Sequence, residues 1–207
     1  TANSDLIIGG SGVLQNDSEI WEEKKLKDGM QFYQMKKSKS KTRVWKFKAE
    51  KVHDFAWAAD QDYIRYSVEG PNDITINAYY LKSEASNWEK LSEYTPKFFV
   101  EMNQYFGEYP YPQFSIIQGG DGGMEYPMCT MLKGTGKLDG LIGVFVHEAA
   151  HNWYYGILAT NEFRYPWMDE GFTSYAEAEV LNIIKEENLE NPHLRALDLN
   201  NKYLTVL

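Results

Sequence analysis

The sequence predicts an α+β fold, with strands crowded into the first third of the chain and amphipathic helices dominating the remainder. Two observations carry this expectation. Up to residue 80, apolar and aromatic residues recur with a period of two, the pattern of half-buried strands. After residue 84 the spacing lengthens to three, four and seven, which places apolar side chains on one face of a helix.

Along the β-rich part, Met30–Met35 is a short apolar and aromatic run, and residues 42–49 alternate with Trp45 and Phe47 on one face. Ile64, Tyr66 and Val68 alternate again, as do Ile74, Ile76, Ala78 and Tyr80. Asp28-Gly29 and Gly70-Pro71-Asn72-Asp73 are turn chemistry between them. Trp88, Leu91, Phe98, Phe99, Met102, Tyr105 and Phe106 then predict a helix broken or kinked at Thr95-Pro96. Residues 114–117 read as a short strand running into a glycine cluster at 119–123. A second helix is expected from Asp139, as N-cap, to Gly156, as the residue past its C-terminus. A third begins near residues 167–169, with Phe172, Tyr175, Ala176, Val180, Ile183 and Ile184 as one apolar stripe.

Composition narrows the partners. Hydrophobic residues are 43% and charged residues 25%, ordinary for a globular protein, and fifteen Tyr raise the aromatic share to 15%. That share is read as thick aromatic cores. The net charge of −9 argues against nucleic acid, whose phosphates require clustered Lys and Arg. The basic run Lys36, Lys37, Lys39 and Lys41 is interrupted by serines and reads as a solvated turn. No apolar run is long enough for a membrane span, which takes about eighteen residues. The first residues form no signal peptide and include no initiator Met, as in a mature or trimmed chain. The single Cys129 excludes an internal disulfide and says nothing of compartment, since exported bacterial proteins often lack disulfides.

The segment that carries chemistry is His147-Glu148-Ala149-Ala150-His151, inside the second helix. Positions i and i+4 of a helix face the same way, with Cβ atoms roughly 5–6 Å apart, so both imidazoles can meet one tetrahedral zinc. Glu148 then leans beside the metal, where a carboxylate can take a proton from an activated water. A catalytic zinc site needs a third protein ligand. The metzincin arrangement would require glycine at position 154 and histidine at 157, where this chain has Tyr154 and Ile157. The only later histidine, His193, lies far off on a polar stretch. Glu170, nineteen positions after His151 in the first turn of the next helix, is the better candidate, because an antiparallel return would aim it at the histidines. Asp169 reads as a helix-start or outer-layer residue, Asn152 and Trp153 as packing or outer-layer groups, and His53 as structural. Cys129 has no histidine partner for a nucleophile's role.

His147-Glu148-Ala149-Ala150-His151-Asn152-Trp153, with eighteen residues between His151 and Glu170, and Glu170 within Asp169-Glu170-Gly171-Phe172 together resemble the M1 family of zinc aminopeptidases, which are gluzincins. A glycine-x-methionine-glutamate motif precedes the zinc helix in that family, and here it is similar to Gly122-Gly123-Met124-Glu125. The resemblance covers most of residues 62–207 and extends more weakly over 1–61. It implies a truncated thermolysin-like zincin catalytic domain at 62–207, preceded at 1–61 by the end of an all-β N-terminal domain. It implies one Zn2+ held by His147, His151 and Glu170, with Glu148 as general base. It also implies that Glu125 holds the α-ammonium of peptide substrates with a free N-terminus, by a charge-assisted hydrogen bond. Gly122 and Gly123 would let an extended peptide approach and pair with the backbone beside Met124.

The chain departs from the family in two places. Tyr126-Pro127 follows Glu125 where the family has Asn. The family's transition-state tyrosine has no match in context, since only Tyr175 and Tyr203 follow Glu170. The apolar end at residues 203–207 reads as a cut through a longer protein, because the family continues with a helical domain. The expectation is therefore a fragment that binds zinc, hydrolyses little alone, and exposes apolar surface near Val206 and Leu207. Another gluzincin hydrolase or endopeptidase, or a non-catalytic binding protein on the same fold, are the competing readings.

Overall fold

A computed structural model of the chain describes residues 1–120 and 122–185. The expectations placed on His193, Tyr203, Val206 and Leu207 lie outside the described residues. Within them the chain is α+β. Seven strands form one mixed sheet: β1 (Trp21–Lys27), β2 (Met30–Met35), β3 (Tyr63–Glu69), β4 (Thr75–Leu81), β5 (Gln113–Gln118), β6 (Gly123–Tyr126) and β7 (Cys129–Leu132). Their order across the sheet is β6-β7-β5-β4-β3-β2-β1. β1 to β4 form an antiparallel meander, β4, β5 and β7 run parallel, and β6 closes the end antiparallel to β7. The sheet runs continuously across residue 61, because β2 pairs with β3.

Turn chemistry explains the first hairpin. Asp28 and Gly29 both take positive φ (50° and 76°), as a two-residue loop of matching twist between β1 and β2 demands. The expected strand over residues 42–49 is shorter than its alternation suggested. Only Thr42–Arg43 and Phe47–Lys48 are strand, pairing with Ala2–Asn3 and Val13–Leu14. Trp45 and Phe47 do share a side, their rings nearly parallel (4°) with centroids 6.3 Å apart. The lysine run from Lys36 to Lys41 is exposed.

Alternation divides the apolar residues between two cores. On β4, Ile76, Ala78 and Tyr80 face the helical layer, while Tyr79 joins Ile7, Trp21, Tyr63 and Ile117 on the other face. The helical layer consists of α1 (Ala85–Leu91), α2 (Thr95–Phe106), α3 (Leu138–His151) and α4 (Pro166–Ile184). The break expected at Thr95-Pro96 falls where α1 and α2 meet, with Pro96 in the first turn of α2, where its missing N–H costs nothing. Three other expectations need correction. Asp139 is not a cap: α3 starts at Leu138 after Lys137, and Asp139 lies in its first turn, where its charge suits the helix dipole and pairs with Lys185 Nζ at 2.6 Å. Gly156 is not the residue past a regular helix end, since α3 changes at His151 into a wider turn over Asn152–Ile157. The buried face of α4 is Asp169, Thr173, Ala176, Ala178, Val180 and Ile184, whereas Phe172 and Tyr175 are exposed. Packing chose a polar stripe near the N-terminus of α4 because that end faces polar groups on α3.

Trp88 ties the sheet to the loop that launches α3. It is fully buried, stacks on Tyr80 (5.8 Å, 11°), and donates from Nε1 to the Gly134 carbonyl at 3.0 Å. Gly134 has φ +64°, and a Cβ there would lie 2.4 Å from the Trp88 ring, so only glycine fits. No helix among the described residues is long and apolar enough to cross a membrane. Trp88→Ala removes a large core side chain and this loop anchor together. It is expected to lower the unfolding free energy by about 3–5 kcal/mol, measured by urea denaturation; a loss under about 1 kcal/mol would show that the core collapses into the space.

Candidate metal centre

α3 is amphipathic in an unusual sense. Phe145, Val146, Ala149 and Ala150 bury themselves in the helical core, and this rotation turns His147 and His151, one turn apart, towards α4. His151 is buried and His147 is partly exposed. α4 returns antiparallel and presents Glu170, Thr173 and Glu177, spaced three and four apart on one face.

The two histidine Nε2 atoms stand 3.3 Å apart. Glu170 Oε2 lies 3.4 Å from His147 Nε2 and 3.6 Å from His151 Nε2. The opposite ring nitrogens are held by carboxylates: His147 Nδ1–H donates to Glu177 Oε2 at 3.0 Å, and His151 Nδ1–H to Asp169 Oδ1 at 2.5 Å. Thr173 Oγ1 is 3.2 Å from the same His151 Nδ1. With both Nδ1 atoms donating, each ring in its neutral form keeps a bare lone pair on Nε2. Three acceptors then face one another with no donor among them, an arrangement that a cation satisfies. Bonds of about 2.0–2.1 Å to a tetrahedral zinc set neighbouring ligand atoms about 3.3–3.4 Å apart. The observed separations match that edge, so the residues fit the ion.

Two more carboxylates face the cluster. Glu148 is buried, and Glu125 on the edge strand β6 brings a carboxylate oxygen within 4.8 Å of both Glu148 and His151. Burial, and then the nearby charge of Glu125, push the Glu148 carboxyl up to about 7. The Glu177 hydrogen bond raises His147. For His151, burial is the largest influence and pulls downward, but the Asp169 hydrogen bond and the charges of Glu125 and Asp169 outweigh it, so its net direction is also up. A dication in the site would reverse these directions.

β6 is fixed to the histidine helix at both ends. A Cβ on Gly123 would stand 2.0 Å from Glu148 Oε1, so the absence of a side chain lets the strand lie against the carboxyl. Thr130 on β7 donates to the Met124 carbonyl at 3.2 Å. In the tight turn to β7, Met128 takes φ +62° and its N–H donates to Asn152 Oδ1 at 2.8 Å. Gly122, Gly123 and Met124 are exposed along the outer strand of the sheet.

The fold thus brings together His147, Glu148, His151, Glu170 and Glu125, with Gly122, Gly123 and Met124 beside them. Asn152 works through the β6–β7 turn and Trp153 by packing on Phe98, Phe99 and Tyr109. His53 packs edge-on against Tyr155 (4.5 Å). Cys129 is fully buried, and burial holds its thiol protonated. Tyr175 packs against Phe106 on the outer side of α4. Glu177 escaped the sequence reading, although it lies seven residues after Glu170, two helical turns along the same face.

No family model matches the chain. Over 157 residues it is 27% identical to Leucine aminopeptidase 2 of Ajellomyces capsulatus (strain NAm1 / WU24), an alignment covering 72% of this chain and 25% of that relative. The chain therefore spans about a quarter of the length of this curated relative. Asn152→Ala leaves the buried Met128 N–H without a partner, which should cost about 1–3 kcal/mol in urea unfolding; a neutral result would mean the turn finds another acceptor.

Proposed function

We propose that this chain carries the metal centre and substrate edge of a zinc-dependent aminopeptidase of the M1 gluzincin type, on a thermolysin-like catalytic domain. The observation that carries the reading is the convergence of His147 Nε2, His151 Nε2 and the Glu170 carboxylate at the separations of a tetrahedral ion, with Glu148 and Glu125 facing the same point. Similarity to a protein named as a leucine aminopeptidase supports the same class of chemistry.

On this reading His147, His151 and Glu170 hold the zinc. The ion, when bound, supplies Lewis acidity to a water and to the scissile carbonyl. Glu148, buried beside the two histidines, accepts the proton of the attacking water and delivers it to the departing amine. Glu125 receives the substrate's α-ammonium, which is why a free N-terminus is required. The outer edge of β6 pairs with the backbone of the extended peptide, and Gly123 keeps that approach open next to Glu148. The substrates are peptides with free N-termini.

Three variants separate these roles. Glu170→Ala should reduce bound zinc far below one equivalent per chain by metal analysis after dialysis, and full retention would remove Glu170 from the ligand set. Glu148→Gln should keep its zinc and lose about 100- to 10,000-fold in turnover, because an amide cannot accept the proton. Glu125→Gln should lose about 10- to 100-fold in kcat/KM on free N-termini while retaining zinc. Equal cleavage of free and N-acetylated peptides by the unaltered protein would favour an endopeptidase.

A further inference from the structure

The outer partners of the two histidines come from one element. α4 supplies the inner carboxylate, Glu170, and the two carboxylates behind the imidazoles, Asp169 and Glu177. Consecutive helical residues point about 100° apart, so Asp169 reaches the far side of His151 while Glu170 meets the near side. Asp169 is almost wholly enclosed, its side chain 3% exposed, and Thr173, fully buried, lies against the same ring nitrogen. Glu177 is looser, with its side chain 19% exposed and its contact at 3.0 Å against 2.5 Å for Asp169.

We infer that Asp169 and Glu177 are positioning residues that fix the tautomer and ring angle of His151 and His147, and that Asp169 is the dominant one. This rests on the metal reading above. A carboxylate on Nδ1 keeps Nε2 unprotonated and aimed, and raises its basicity as a ligand. Because Asp169 adjoins Glu170 in sequence, any displacement of the first turn of α4 disturbs one ligand and the orientation of another together. The arrangement makes α4 the element that sets the geometry of the whole donor set, while α3 only delivers the rings.

The test is zinc affinity of the 207-residue chain, measured by competition with a chromogenic chelator, for Asp169→Ala, Asp169→Asn, Glu177→Ala and Glu177→Gln. Asp169→Ala should weaken zinc by about 10- to 100-fold and Glu177→Ala by less; both amide variants, which keep an acceptor oxygen, should recover part of the loss. Cobalt(II) loading gives a readout that loss of packing alone would not move. The visible bands should shift in Asp169→Ala while the far-UV circular dichroism of the metal-free chain stays unchanged. If Asp169→Ala fails to fold, Asp169→Asn and Glu177→Ala decide. Affinities within roughly twofold of the unaltered chain, with unchanged cobalt bands, would overturn the positioning roles and leave the metal reading standing. An unaltered chain that binds no stoichiometric zinc would overturn both.

Discussion

Two imidazole Nε2 atoms face each other across 3.3 Å, and a carboxylate oxygen completes the triangle. On the proposed reading a shared cation offsets the water that these acceptors give up. Much of the helical layer can be understood as the means of holding that triangle. α3 fixes the rings by burying its opposite face, and α4 fixes the carboxylate by an antiparallel return against α3. Glu177 and Asp169 turn the rings so that the lone pairs meet.

The same constraint explains where the sheet ends. β6 stops the sheet beside α3, pinned through Asn152 at its turn and able to lie against Glu148 only because Gly123 has no side chain. This brings Glu125 to the cluster from the sheet while the other groups come from helices. An exposed strand edge is ordinarily a liability for aggregation. Here, on the proposed reading, it is the surface on which an extended peptide lies. The high density of carboxylates around the triangle has the same origin. Glu125, Glu148, Asp169, Glu170 and Glu177 would repel one another in a neutral pocket, and on the proposed reading a dication together with a substrate ammonium offsets that repulsion.

The features legible in the sequence were local ones. The i, i+4 histidines, Glu148 between them and Glu170 in the first turn of the next helix depend on helical periodicity and one reversal of direction, and the structure brings all of them together. Gly123 and Glu125 were legible through a motif, and the contact of Gly123 with Glu148 gives that motif a physical reason. The partners of the ring nitrogens were less accessible. Asp169 was read as either a helix-start or an outer-layer residue and Glu177 was not singled out, because their pairing with α3 depends on how the helices are rotated. The α4 stripe held at Ala176, Val180 and Ile184 and failed in its first turns for the same cause: Phe172 and Tyr175 satisfy an apolar pattern, yet Thr173 and Asp169 are the ones that face inward. Asp139 was misread as a cap because first-turn and cap positions favour the same residue type.

The most direct measurement of the central claim is X-ray absorption at the zinc K-edge on the metal-loaded chain. The expected result is a four-coordinate shell of nitrogen and oxygen at about 2.0–2.2 Å, with outer scattering from two imidazoles and no sulfur. A sulfur shell at about 2.3 Å, or an all-oxygen shell without imidazole scattering, would contradict the claim, because His147 and His151 would then not hold the ion.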